Sequence, residues 1–184
     1  IYAISMISSN DLPEGIIGYQ IGNYRMVSAV CDYLEKHRFA CDQTTREKGI
    51  RNLKKNTGFF GRMEVISKEP LTIVDCAHNT DGIRALLSSI KELSNGTLHC
   101  IYGTSSDKDL NAILDEFPTD ASFYFTTFSN PRSTSLEDLK EKVGFRIEKK
   151  QFFNSPLKAL SKAQESANKA DTILIFGSFF LVHD

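Results

Sequence analysis

The chain has 184 residues, of which 41% are hydrophobic and 24% charged, with a formal net charge of −1 at pH 7. These values are typical of a globular protein and exclude a disordered chain. The near-neutral charge gives no general attraction to nucleic acid or to an anionic membrane, and no apolar run is long enough to span a bilayer. The four cysteines form no C-x-x-C pair, which favours free thiols in a cytoplasmic protein.

Two helices are predicted in the first third of the chain. NYRMVSAVCDYLEKH is amphipathic, with Val27, Val30 and Leu34 directed inward. TREKGIRNLKK is a second helix, with Thr44 as its N-cap and Glu47 three residues later, which is the spacing of a capping box. Before them, IYAISMI has the pattern of a strand and NDLPEG that of a turn.

The segment NTGFFG, after the second helix, has the composition of a linker, and we place a domain boundary at residue 57. Residues 1–57 are then expected to be the end of one domain, and residues 58–184 a second domain. Because the chain opens with Ile1 and has no methionine before Met6, we expect it to be a fragment of a longer protein.

From Lys68 onward, strand patterns alternate with helix patterns. The strands are LTIVD, LHCIYG, SFYFTTF, KKQFF and DTILIF, and the helices between them are TDGIRALLSSIKEL, KDLNAILDEF, SLEDLKEKV and PLKALSKAQESANKA. FFLV follows the last strand too closely for a crossover helix and is expected to turn back as an antiparallel edge strand. The alternation predicts an α/β fold, with a mostly parallel sheet and helices on both faces.

Polar residues follow the strand LTIVD. Asp75 ends this strand, and His78 and Asn79 come directly after it. In one interpretation Asp75 and Asn79 only cap the turn into the next helix, because such side chains bond nearby backbone N–H groups. In the other, the carboxylate holds sugar hydroxyls of a ligand, and the histidine contacts an anion or moves a proton.

Other polar residues are expected near the same edge of the sheet. Arg62 follows Gly61 at the end of the linker, where its planar guanidinium suits a phosphate. Lys108, Arg132 and Ser178 lie after later strands, in loops that equally suit ordinary turns. No G-x-x-x-x-G-K-[ST] loop and no metal-ligand spacing occurs in the sequence. The residues therefore predict an α/β domain that binds a nucleotide or a small anion.

The order of several short motifs carries a family resemblance. G-Y-Q-x-x-N, G-R, D-x-A-H-N, D-K-D, P-R and G-S-F-F-L-V follow one another along the chain. Together they resemble the C-terminal part of the folylpolyglutamate synthase/dihydrofolate synthase family, within the ATP-dependent Mur-ligase superfamily. The resemblance runs from about Leu12 to the last residue.

The resemblance implies a reaction and a fold. In this family ATP phosphorylates the carboxylate of dihydropteroate or of a folate, and the amino group of L-glutamate then attacks the acyl phosphate. A Rossmann-like C-terminal domain closes over a central ATPase domain, which carries the phosphate-binding loop and the Mg²⁺ ligands. These parts are expected to lie outside this chain, so no metal ligand is assigned here and the isolated chain is expected to be inactive. Monomers are usual in the family.

The resemblance also implies roles for individual residues. Asn23 matches the residue that contacts the adenine, Arg62 the one that reaches the phosphates, and Asp75 the one that holds the ribose. His78, as a catalytic and substrate-binding residue, and Ser178, as a substrate-binding residue, match positions on the glutamate side of the site. Lys108 and Arg132 match family positions to which no role is assigned. The chain departs from the family pattern at Cys76, where a small residue is usual, and at Thr80, where proline is common.

Three alternatives remain open. The first is a ligase of the same superfamily that adds an amino acid to a UDP-linked peptidoglycan precursor. The second is a non-catalytic nucleotide-binding module, and the third is a stable fragment with no independent function. Assays of the whole protein with folate and UDP-linked substrates distinguish the first from the favoured interpretation.

Overall fold

The computed structural model describes residues 18–184. The strand expected over IYAISMI, the turn expected over NDLPEG and the first residues of the family resemblance lie outside this range. The chain divides into two compact units, with the division between Phe60 and Gly61.

The first unit is helical in its described part. Its helices are α1 (Gln20–Lys36), α2 (Gln43–Arg51) and α3 (Leu53–Thr57). The prediction that Thr44 caps the second helix is wrong, because Asp42 starts the helix earlier: its side chain accepts the backbone N–H of Thr45 at 2.7 Å.

Two residues of α1 that were predicted to point inward are exposed. Val27 is 46% exposed and Val30 is 53% exposed, so the prediction that they point inward is wrong for the part of the chain that the structure describes. The residues of α1 that meet α2 lie on a different stripe of the helix. Arg46 on α2 forms an ion pair at 2.8 Å with Asp32, which is one turn after the buried Ser28.

The second unit is built on a six-stranded sheet. Its strands are β1 (Glu64–Lys68), β2 (Leu71–Asp75), β3 (Leu98–Tyr102), β4 (Ser122–Thr126), β5 (Lys150–Phe153) and β6 (Thr172–Phe176). They are ordered β1-β2-β6-β3-β4-β5, and every neighbouring pair is parallel except β1 and β2. The predicted α/β fold with a mostly parallel sheet is confirmed.

Helices cover both faces of this sheet. They are α4 (Thr80–Leu93), α5 (Leu110–Leu114), α6 (Leu136–Val143), α7 (Pro156–Ser166) and α8 (Phe179–His183). The connections from β2 to β5 advance in one direction across the sheet, whereas the connection from β5 to β6 runs back. Because such crossovers are right-handed, α7 lies on the face opposite to α4, α5 and α6. The strands at the centre are buried between the two layers: all five residues of β6 are buried.

The antiparallel strand is not the one predicted. FFLV forms the short helix α8, because the positive φ of Gly177 (+118°) redirects the chain and the Ser178 side chain caps the following turn. The antiparallel edge is β1 instead, which the sequence does not reveal. A register shift between Val65 and Ser67 interrupts its alternation and leaves Val65 and Ile66 exposed.

Candidate functional site

The carboxyl ends of four neighbouring strands meet at one edge of the sheet. Asp75 at the end of β2 pairs with Phe176 of β6, and Phe176 pairs with Tyr102 of β3. Tyr102 pairs in turn with Phe125 of β4. The loops that carry His78, Lys108, Arg132 and Ser178 therefore all leave the sheet at this edge, where ligands collect in open α/β sheets.

Two glycines allow the strand ends to approach closely. A Cβ at Gly177 would lie 2.4 Å from the carbonyl oxygen of Gly103, and a Cβ at Gly103 would lie 2.6 Å from that of Thr126. Because no side chain fits at either position, the ends of β6, β3 and β4 pack backbone against backbone.

Asp75 is buried and bonded to the backbone through both carboxylate oxygens. One oxygen accepts the N–H of Met63 at 2.8 Å, and the other accepts the N–H of Ala77 at 2.7 Å. The residue has 0% of its surface exposed. In this conformation the side chain bonds the backbone, as the capping interpretation predicts, and presents no surface to a ligand.

The segment before β1 passes over the end of β2. The N–H of Cys76 donates to the carbonyl oxygen of Gly61 at 2.9 Å. Gly61 has φ of +87°, and Met63, which is 3% exposed, has φ of +52°. Burial, with the nearby Asp75 carboxylate, raises the pKa of the Cys76 thiol to about 11. These contacts fix the backbone at Gly61 and at Met63, the two neighbours of Arg62.

The side chain of Arg62 is exposed. Its positive charge acts to lower the pKa of the Cys76 thiol, so the guanidinium lies near the end of β2. Among residues 18–184, no carboxylate forms an ion pair with it. An exposed guanidinium without an acidic partner suits an anionic ligand.

His78 is oriented by the backbone of the same turn. Its Nδ1 lies 2.9 Å from the carbonyl oxygen of Cys76. Because a carbonyl oxygen only accepts, the proton of this hydrogen bond belongs to Nδ1, and Nε2 is then the unprotonated nitrogen of the neutral ring. The residue is exposed, so this nitrogen is suited to accept a proton from a ligand.

Asn79 and Ser178 cap helices. The side-chain oxygen of Asn79 accepts the N–H of Gly82 at 2.8 Å, so Asn79 is the N-cap of α4. The hydroxyl of Ser178 accepts the N–H of Phe180 at 3.2 Å, and the residue is 4% exposed. Turn capping, which the sequence left open, therefore accounts for Asn79, whereas the Ser178 hydroxyl also keeps its own proton to donate.

The two basic residues without an assigned role share one carboxylate. Asp107 lies 3.2 Å from the Nζ of Lys108 and 3.1 Å from the guanidinium of Arg132, and these contacts hold its pKa below the usual value. The loops after β3 and β4 are also joined by a bond from the N–H of Ser106 to the carbonyl oxygen of Arg132. The sequence separates the two residues by a whole helix and strand, so only the parallel β3–β4 pairing explains their contact.

Asn23 lies in the first unit. On α1 it is exposed and donates to the side-chain oxygen of Gln20 at 3.0 Å. Arg62, Asp75 and His78 are therefore the predicted site residues that the structure brings to one strand end, with Ser178 at the end of the adjacent strand β6. The sequence missed the backbone groups of Met63 and Ala77, because nothing in their side chains indicates that they bond Asp75.

Other features of the molecule lie away from this edge. In the described part of the chain, no three His, Cys, Asp or Glu residues converge to hold a metal ion. Within residues 18–184, no helix is both long enough and apolar enough to cross a membrane. A groove of about 630 Å³ lies beside the start of β3, lined by residues such as Leu87, Thr97 and Glu116, and contains none of the predicted site residues.

Comparison with known proteins gives matches to two kinds of ligase. A diaminopimelate ligase of Prochlorococcus marinus (UDP-N-acetylmuramoyl-L-alanyl-D-glutamate--2,6-diaminopimelate ligase) is 33% identical over 137 residues, which cover 65% of this chain and 26% of that protein. A dihydrofolate synthase/folylpolyglutamate synthase of Buchnera aphidicola is 33% identical over 141 residues, which cover 76% of this chain and 34% of that protein.

A solved structure extends the match over almost the whole chain. It is a bifunctional folylpolyglutamate synthase/dihydrofolate synthase with Mn, AMPPNP and L-glutamate bound, with a TM-score of 0.75 and 25% identity. The match covers 93% of this chain and 39% of that one. The chain thus spans 26% to 39% of the length of these three proteins. The model of the family "Mur ligase, glutamate ligase domain" matches residues 61–179, and the chain belongs to this family.

Proposed function

We propose that the whole protein is an ATP-dependent ligase that adds L-glutamate to dihydropteroate or to a folate. In this proposal residues 1–57 are the end of the central ATPase domain with its linker, and residues 58–184 are the C-terminal glutamate ligase domain. The folate relative matches more of the chain than the diaminopimelate ligase does, 76% against 65%. The solved structure that covers 93% of the chain is a folate enzyme as well.

One observation carries the proposal: an exposed arginine and an exposed histidine are held at the end of one strand of a glutamate ligase domain. The two neighbours of Arg62, Gly61 and Met63, and the ring of His78 are bonded to the same short segment, residues 75–77. Transfer of a phosphoryl group from ATP to a carboxylate spreads negative charge over its oxygens, and fixed positive charge stabilises that state. Arg62 supplies such a charge.

The residues present fit an ATP molecule in part. Arg62 would hold the phosphates, and Asn23, whose side chain is an exposed amide, would contact the adenine. The resemblance assigns Asp75 to the ribose, but both of its oxygens are occupied and it is buried. A direct ribose contact would require at least one of these bonds to open.

Mg²⁺ is expected with ATP, but the described residues do not fit a metal site, because no three potential ligands converge among them. Its ligands would come from a part of the protein outside this chain.

His78 and Ser178 would act on the glutamate side. With its proton on Nδ1, His78 has Nε2 available to take a proton from the attacking amino group, which is nucleophilic only after losing it. The Ser178 hydroxyl, while it accepts the N–H of Phe180, has its own proton to donate to a carboxylate of the amino acid. The amide then forms with release of ADP and phosphate.

The test is an assay of the whole protein with ATP and either radiolabelled L-glutamate or radiolabelled diaminopimelate, which is the amino acid named for the competing ligase. Dihydropteroate and tetrahydrofolate are offered in parallel with a UDP-linked peptide precursor, because the diaminopimelate ligase match makes the latter the main competing substrate. Incorporation into the pteridine substrates alone supports the proposal. Incorporation into the UDP-linked substrate, or none with any acceptor, contradicts it.

The proposal also covers the isolated chain. We expect these 184 residues alone to add no glutamate, because the phosphate-binding loop is absent from their sequence. We further propose that the whole protein is a cytoplasmic monomer, which size-exclusion chromatography with light scattering and cell fractionation would check. ATP-dependent ligation by the isolated chain would contradict the division of the site between two domains.

A further inference from the structure

Two of the four cysteines lie side by side at the junction of α1 and α2. Cys31 is in the last two turns of α1, and Cys41 comes just before Asp42, the N-cap of α2. The thiol of Cys31 is hydrogen-bonded to that of Cys41. Both residues are partly buried, whereas Cys76 and Cys100 are buried. The paired thiols are therefore the more accessible ones, and they face each other as the geometry of a disulfide requires.

The path of the backbone explains why two residues ten positions apart meet. At the end of α1 the N–H of Phe39 donates to the carbonyl oxygen of Leu34 at 3.1 Å, and Arg38 has φ of +67°. A bond of this span together with a left-handed residue is the Schellman motif, which ends a helix and reverses the chain. The reversal carries Cys41 back to the flank of the helix that bears Cys31.

A guanidinium lies beside the two sulfur atoms. Arg46 on α2 pairs with Asp32, the neighbour of Cys31, at 2.8 Å, and its side chain is only 15% exposed. Burial lowers the pKa of this guanidinium, but the bond with Asp32 and the charges of the two thiols raise it, and the pKa is raised overall. A fixed positive charge stabilises a thiolate, which is the reactive form of a cysteine.

We propose that Cys31 and Cys41 are a redox-sensitive pair, which hydrogen peroxide converts to a disulfide and a dithiol reduces again. A thiolate attacks one oxygen of the peroxide, the O–O bond breaks, and the hydroxide that leaves takes up a proton. The sulfur of the second cysteine then attacks the sulfenic acid, and its S–O bond breaks with release of a second water. Two thiols and one peroxide thus give one disulfide and two waters.

The surroundings of Cys31 set the order of the two attacks. Burial raises the pKa of its thiol, and the hydrogen bond with Cys41 and the negative charge of that sulfur raise it further. Because the thiolate is the nucleophile, Cys31 is the slower of the two thiols. We expect Cys41 to attack the peroxide and Cys31 to close the disulfide. None of the residues proposed to bind ATP or glutamate takes part, so the inference is independent of the ligase reaction.

Peptide mapping of the whole wild-type protein tests the pairing. Trypsin places each of the four cysteines on a separate peptide, with Cys31 in residues 26–36 and Cys41 in residues 39–46. The protein is treated with hydrogen peroxide, and the remaining thiols are blocked before digestion. We expect these two peptides to be joined, with a mass lower than their sum by two hydrogen atoms, and to separate in dithiothreitol. Oxidation of the two cysteines without a joined peptide, or pairing of either with another cysteine, would overturn the inference.

Single-cysteine variants test the order of attack. Cys31→Ser should leave Cys41 as a sulfenic acid, which dimedone traps for mass spectrometry. In Cys41→Ser the dimedone adduct of Cys31 should form about 10-fold more slowly, because burial keeps its thiol protonated. An adduct that forms faster on Cys31 than on Cys41 would overturn the assigned order.

Matched variants of the ion pair test the charge beside the sulfur atoms. Arg46→Gln removes the guanidinium and the ion pair, whereas Asp32→Asn removes the ion pair and keeps the guanidinium. At pH 7 the rate of disulfide formation should fall about 10-fold in Arg46→Gln and should not fall in Asp32→Asn. An equal loss of rate in both variants would overturn the role assigned to the charge, because it would trace the effect to the lost contact between α1 and α2.

Discussion

The sulfur of Cys76 occupies the space next to Gly61: a Cβ at Gly61 would lie 2.4 Å from it. The two backbones are held together by a hydrogen bond, in which the carbonyl oxygen of Gly61 accepts the N–H of Cys76 at 2.9 Å. The junction between the segment of Arg62 and the end of β2 therefore tolerates no added atom.

Gly61→Ala is expected to destabilise the second unit by about 3 kcal/mol, because it adds a steric clash to the strain of a positive φ. Urea denaturation, with hydrogen exchange of β2 as the local probe, measures this change. Gly144→Ala is the control, since Gly144 lies in the same unit, has φ of +44° and has its nearest atom 3.3 Å from a Cβ. Equal costs for the two substitutions would contradict the steric account.

The clash predicts a specific rescue. In a Cys76→Ala background the nearest remaining side-chain atoms, Cγ1 of Val182 and the Cβ of residue 76, would lie 3.6 Å and 3.8 Å from the new Cβ at Gly61, which are ordinary contact distances. Gly61→Ala should then cost only the strain of the positive φ, about 1–2 kcal/mol. The same denaturation experiment decides this, and an unchanged cost in that background would refute the role assigned to the sulfur.

Cys76 is expected to resist alkylation at neutral pH. Burial and the nearby Asp75 carboxylate raise the pKa of its thiol to about 11, so at pH 8 only about one molecule in 10³ carries the reactive thiolate. Iodoacetamide labelling followed by peptide mass spectrometry should show modification of Cys76 rising only above about pH 10. The partly buried Cys41 is the internal control. Labelling of Cys76 at pH 7 as fast as that of Cys41 would disprove the burial.

Asp171 is expected to make the fold sensitive to acid. Its carboxylate accepts the N–H of Asn168 at 2.7 Å and that of Thr97 at 2.8 Å, and lies 3.5 Å from His99, which together lower its pKa. A lowered folded pKa contributes stability that is present above the unfolded value, near pH 4, and that is lost as the pH falls below it.

Asp171→Ala should therefore lower the free energy of unfolding at pH 7 by about 2 kcal/mol and flatten its fall below about pH 4. Urea denaturation between pH 3 and pH 7 gives both quantities. Asp107→Ala is the control, because that carboxylate also has a lowered pKa but is half exposed, so little change is expected. A wild-type acid slope that survives in Asp171→Ala would rule out this residue as its source.

His78 and Asn79 should separate function from stability. Asn79→Ala removes the N-cap of α4 and is expected to cost about 1 kcal/mol of stability. His78→Ala removes an exposed ring and should leave the unfolding curve unchanged while the ligation rate falls. Full ligation activity in His78→Ala would show that the histidine has no role in the reaction.

Much of the sheet is predictable because its central strands are buried on both faces. LTIVD and DTILIF are mostly apolar and β-branched, and they pair in register from Leu71 with Thr172 to Asp75 with Phe176. The carboxyl ends, and thus the general location of the candidate site, follow from the alternation of strands and helices. The start of α7 at Pro156 agrees with the predicted helix PLKALSKAQESANKA, because the missing N–H of a proline is not needed in the first turn of a helix.

The rest depends on contacts that a local pattern does not encode. β1 escapes recognition because its bulge breaks the period of two, and FFLV has too few residues to distinguish a strand from a helical turn. The bonds of Asp75 require Met63, twelve residues earlier, to lie over the end of β2. Only the antiparallel pairing of β1 with β2 brings it there, so the sequence predicted a polar strand end but not the buried carboxylate.

The ligation rate of Arg62→Ala tests the central claim most directly. With ATP, L-glutamate and dihydropteroate or tetrahydrofolate, the whole protein should form the amide, and the variant should be slower by about 10²-fold or more because the charge that we propose for phosphate binding is lost. Its unfolding curve should match wild type, since the side chain is exposed. Arg62→Lys should restore little, because a lysine lacks the bidentate fork. A folded Arg62→Ala protein that ligates glutamate at the wild-type rate would contradict the account.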